Sequence, residues 1–72
     1  MLDLRKLLLL LPVVGPVLAR SPDFVAWWVN VSTALNPADQ ATAKAALADV
    51  QADNDAGHAR LQAKLATAAR RT

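Results

Sequence analysis

Three observations predict an all-α fold for this 72-residue chain. After Pro37, residues 38–71 contain no further proline and only one glycine, Gly57, and are rich in alanine, the strongest helix former. Ser21-Pro22 and Asn36-Pro37 each pair a capping residue with a proline suited to the first helical position. Phe24, Trp28, Val31 and Leu35 recur at steps of four, three and four, which places them on one helical face. The expected architecture is a short Leu-rich N-terminal helix, a middle helix and a long C-terminal Ala-rich helix. The arrangement is extended or hairpin-like, packed in an oligomer or larger assembly. The whole chain, 1–72, forms one small unit.

Composition narrows the chemistry. The hydrophobic fraction is 54%, much of it alanine, and the only aromatics are Phe24, Trp27 and Trp28. Alanine adds helix propensity but little buried area, so thin helices packed closely suit this chain better than a thick core. A domain this small buries little surface, and no cysteine is present to staple it. Thiolate metal sites and cysteine nucleophiles are thereby excluded, and one histidine cannot form a zinc cage. The net charge of +2 is a mild excess. Acids lie early and bases late in 37–71, with Arg60, Lys64, Arg70 and Arg71 near its end, as the helix macrodipole favours. Nucleic-acid binding through these bases is a weaker reading, since acids occupy half of the same helix.

The N-terminal segment, 1–20, reads as a helix over Met1–Leu11 that Pro12 ends, because a residue before proline avoids helical geometry. Val13-Val14-Gly15-Pro16 then makes a bend, with a short helical turn over 16–20. Arg5 and Lys6 before an apolar run to Ala19 resemble a secretory signal, although Asp3 weakens its positive region. The run is too short for a membrane span and carries two prolines and a glycine. An interfacial element, with Trp27 and Trp28 at headgroup level, competes with a hydrophobic plug that docks in a protein groove.

The middle helix, 22–35, carries Ser21 as N-cap, Pro22 first and Asp23 in its first turn. Adjacent tryptophans point about 100° apart on a helix, so Trp27 and Trp28 cannot enter one narrow core together.

The long helix opens with Asn36 as N-cap and Asp39 at the capping-box position. As a single rod over 37–71 it would measure roughly 52 Å. A 72-residue globule has a radius of gyration of only about 11 Å, so the rod would project and need a partner. Alanines at 38, 41, 45, 48, 52, 56, 59, 63 and 66 form a seam with one stutter between Ala52 and Ala56. A second stripe holds Leu47, Val50, Leu61 and Leu65, with Asn54 and His58 in its middle. The stretch from Asn54 to His58 is the least helix-favouring part, and Gly57 marks a bend or a close backbone approach. His58, alone among Asp and Asn, reads as a surface or interface residue.

The stretch NPADQATAKAALADVQADNDAGHARLQAKLATAARR, with the preceding Leu-Pro-Val-Val-Gly-Pro and Ser-Pro-Asp-Phe, resembles short uncharacterised helical proteins encoded by tailed bacteriophages and prophages. That resemblance implies a phage setting and carries no site residues. The expected function is a non-enzymatic structural subunit, a minor capsid or tail component in the virion, with coiled-coil-like packing. The alternative is a membrane-active accessory, holin-like or an interfacial anchor, in the host inner membrane. The expected partners are other protein chains, either self-copies or assembly subunits, with a membrane as the alternative. No catalytic, metal or cofactor site is expected. Candidate partner-binding residues are Leu7, Leu10, Phe24, Trp27, Trp28, Ala45, Ala48, Ala52, Ala59, Leu61 and Leu65.

Overall fold

A computed structural model describes residues 3–70. Among these lie four helices and no strand: α1 (Leu4–Ala19), α2 (Pro22–Ser32), α3 (Pro37–Ala52) and α4 (Asp55–Arg70). They fold back on one another into a body of 28 × 25 × 18 Å with a radius of gyration of 11.2 Å.

The single rod expected over 37–71 is two helices of 16 residues each. The break is at Asp53, which adopts a left-handed conformation (φ 49°, ψ 51°). Asp is one of the few residues besides glycine that visit that region. Asn54 then starts α4: its Oδ1 accepts the Gly57 amide at 2.7 Å. Burial decides the outcome. A straight rod in an isolated chain leaves the apolar faces of both halves in water, whereas the corner folds Leu61 and Ala68 onto the core. No part of the described chain projects, so the argument for a partner from rod length does not hold.

The N-terminal segment also differs from expectation. The helix does not stop at Pro12 but runs to the kink at Gly15 (φ 80°, ψ 168°). Proline removes one donor to the turn before it. Packing outweighs that loss, since Leu7, Leu8 and Leu11 in the adjoining turns are all fully buried. Gly15 supplies the positive φ, and Pro16 opens the second piece of α1. Met1, assigned to this helix from the sequence, and Arg71, among the C-terminal bases, lie outside the described residues.

The caps largely follow the sequence. Asn36 Oδ1 accepts the Asp39 amide at 2.8 Å, and Pro37 begins α3. Pro22 begins α2, although the Ser21 side chain makes no capping bond. Helical geometry in α2 ends at Ser32, and the chain turns through 33–35 instead of continuing to Leu35.

The core joins Leu4, Leu7, Leu8 and Leu11 of α1 to Trp28 of α2, to Ala43, Ala46, Leu47 and Val50 of α3, and to Leu61 and Ala68 of α4. Two polar ties fix the layers. Trp28 Nε1 donates to the Ala43 carbonyl at 2.9 Å. Arg20 donates through Nε and Nη2 to the Gln51 carbonyl, at 3.0 and 2.6 Å, while Gln51 Nε2 donates to the Ala19 carbonyl at 2.8 Å. The Ala19 and Gln51 carbonyls lie in the last turns of α1 and α3, where the helix offers no partner, and these side chains satisfy them.

Candidate interaction surface

The unusual face of this molecule is the outer side of α1. Before the kink, Leu4, Leu7, Leu8 and Leu11 recur at helical spacing and point into the core. The opposite face carries Arg5, Lys6, Leu9, Leu10 and Val13. Leu9 is 50% exposed, Leu10 40% and Val13 85%; beyond the kink Val17 is 83% exposed and Leu18 52%. A helix that is apolar all round normally has something on both sides. The chain itself covers one side only. The bases at the N-terminal end of this face have no acid among the exposed residues of α1 from Arg5 onward.

A second exposed element is Trp27, 45% exposed, on α2. It belongs to an aromatic group in which Phe24 lies 5.7 Å from Trp27 and 5.9 Å from Trp28, centroid to centroid. Trp28 is fully buried and Phe24 half-buried. The tandem tryptophans thus divide between core and surface.

The structure disperses the candidate partner-binding set. Leu10 and Trp27 are exposed, as an interface residue requires. Leu7, Trp28 and Leu61 belong to the chain's own core and cannot reach a partner in this conformation. Phe24 and Leu65 pack partly against that core. Ala45, Ala48, Ala52 and Ala59 are all exposed, as is every other alanine of the seam. The packing face of α3 and α4 holds the alanines that lie off the seam: Ala43, Ala46 and Ala68 are buried. The residues missed from the sequence are Leu9, Val13, Val17 and Leu18. Their signal was the same apolar run, hidden by ending the helix at Pro12.

Elsewhere the described side chains perform structural work. Asp49, with its side chain 6% exposed, accepts hydrogen bonds from Arg60 Nε at 2.9 Å and Lys64 Nζ at 2.5 Å. Burial pushes its carboxyl up, but the hydrogen bonds and charges of Lys64 and Arg60 outweigh burial and hold it below its ordinary value. His58 lies 3.6 Å from Asp53 at the α3–α4 corner, with both side chains well exposed. A small cleft of about 200 Å³ beside the α1 kink is lined mainly by Leu11, Pro12, Pro16, Val50 and Leu61, with His58 and Gln62 as polar members. It is smaller than the ~300–1,000 Å³ of most ligand pockets. Among the described residues no group of three or more His, Cys, Asp or Glu is placed to hold a metal. No described helix is long and apolar enough to cross a membrane.

Comparison with protein families, curated proteins and solved structures found no match to the chain.

Proposed function

We propose that this chain is a non-enzymatic helical subunit that joins a larger assembly by seating the outer face of α1 in an apolar groove of a different protein. The carrying observation is the row Leu9, Leu10, Val13, Val17 and Leu18, left uncovered on a helix whose other side is already core. Exposed apolar surface of this kind marks a contact site in a soluble protein. Pairing with the same helix of a second copy is disfavoured by charge. An antiparallel α1 pair centred on Val13 sets Lys6 against Arg20, and a parallel pair sets Arg5 against Arg5. The phage particle is the setting that the sequence resemblance suggests.

The test is a density gradient on lysate from the cell that carries the gene. The tagged wild-type chain should sediment with a particle fraction. The chain with Val13→Asp and Val17→Asp should stay at the top. A wild-type chain that also stays at the top removes this reading.

A second reading is favoured by Arg5 and Lys6, which share the outer face with Leu9, Leu10 and Val13. Basic residues beside an apolar helical face suit contact with an anionic lipid surface, with the helix lying in the interface. Flotation with anionic vesicles, lost in the same double variant and absent with zwitterionic vesicles, would select it over a protein groove.

A further inference from the structure

We propose that the α3–α4 corner is a hinge through which two copies of this chain exchange α4, giving a domain-swapped dimer built on two straight helices that cross near Asn54. This inference is independent of what covers α1.

The first observation is the register of the buried face. Ala43, Leu47, Val50, Gly57, Leu61 and Ala68 are all buried, on two separate helices. Across the break Val50 and Gly57 stand seven residues apart and Leu47 and Leu61 fourteen, so the buried residues keep a heptad phase, with the polar Asn54 and Lys64 at its two remaining positions. That is the pattern of one continuous helix with one inward seam. A corner that only ended one helix and began another has no need to keep this phase. Because the phase is kept, straightening the corner leaves both buried faces on the same side of a single rod.

The second observation is the placement of the contacts between α3 and α4. Asp49 pairs with Arg60 and Lys64, and the Asp49 carbonyl lies against Gly57. These partners lie on opposite sides of Asn54 in the sequence. Two straight rods crossing antiparallel at Asn54 therefore bring Asp49 of each to Arg60 and Lys64 of the other. The swapped pair re-forms the contacts of the folded monomer and changes only the hinge.

The third observation is the hinge itself. It consists of Asp53 and Asn54, neither glycine nor proline. Asp53 carries a left-handed backbone, which an L-residue adopts at a cost that opening removes. Opening also lets the amides of Asn54, Asp55 and Ala56, at the start of α4, join the helical ladder. Against it stands the bond from the Gly57 amide to Asn54 Oδ1. Short hinges under strain invite exchange of this kind.

The experiment measures mass by light scattering after refolding from urea over a range of protein concentrations. Asp53→Ala with Asn54→Ala removes the local tolerance for the left-handed turn and the cap. It should raise the dimerisation constant about a hundredfold, tenfold for each of the two hinges. Asp53→Gly relaxes the turn and should lower the constant. A second arm holds whether or not the hinge variants fold well. One chain carries Asp49→Lys, and the other carries Arg60→Asp and Lys64→Asp. Each alone sets like charges together, but refolded as a mixture they restore both ion-pair clusters across a swapped heterodimer. Heterodimers in the mixture, with neither chain forming them alone, support the exchange. A mixture that stays unpaired overturns it. So does a wild-type dimer that survives Asp53→Gly but is lost with Val13→Asp and Val17→Asp, since the copies would then meet through α1.

Discussion

Gly57 of α4 lies so close to the main chain of α3 that a Cβ at this position would stand 2.5 Å from the Asp49 carbonyl oxygen. Real Cβ atoms do not come that near, and the obstacle is backbone that cannot rotate away. Gly57→Ala improves helix propensity by about 1 kcal/mol. The crowding outweighs this, because α4 must shift off α3 and loosen Leu61. We expect a net loss of about 1–3 kcal/mol in urea unfolding, against the sign that propensity alone predicts.

Asp49 makes stability depend on acid. Its folded pKa lies below its ordinary value, so the unfolded chain takes up a proton first as pH falls. Its contribution is complete above the unfolded pKa of about 3.9 and is lost as pH drops through the lower folded value. The urea midpoint of the wild type should fall across that acid range. Asp49→Asn should weaken the protein by roughly 1–3 kcal/mol at neutral pH and flatten the acid dependence. Equal acid slopes for the two proteins would exclude this role.

Trp28 combines full burial with a hydrogen bond to the Ala43 carbonyl. Trp28→Phe removes the donor and part of the ring, and Trp28→Ala removes the whole buried ring. Losses of about 1–2 and 3–5 kcal/mol respectively are expected in thermal or urea melts. The exposed Trp27 supplies the control: Trp27→Ala should cost far less.

Val13→Asp and Val17→Asp act on side chains that are 85% and 83% exposed. Together they should change unfolding free energy by about 1 kcal/mol or less, since no core contact is lost. Circular dichroism and a melting curve check this. A large destabilisation would mean that these side chains hold the fold together and that the double variant does not isolate a docking surface.

The parts of the fold legible in the sequence are those set by local chemistry. The start of α3 at Asn36-Pro37 and the buried side of α2 through Trp28 follow from capping and spacing. The corner at Asp53 is hidden because its residues combine weak helix signals with a spacing that keeps the apolar stripes before and after them in phase. Gly57, which the sequence marks as a bend or a close backbone approach, is the close approach, and the turn falls at Asp53, just before Asn54 caps α4. The alanine seam misled for a different reason. In an Ala-rich helix several faces carry alanine at helical spacing, and only the large residues Leu47, Val50 and Leu61 mark the side that packs. The apolar outer face of α1 was obscured by treating Pro12 as a terminator, when the buried leucines around it carry the helix onward.

The bonds between Arg20, Ala19 and Gln51, and between Trp28 and Ala43, have a consequence for synthesis. They join α1 and α2 to α3 with no residue later than Gln51. Once it has cleared the ribosome, a chain can therefore tie its first three helices together before α4 docks, and α4 then closes onto a surface already formed.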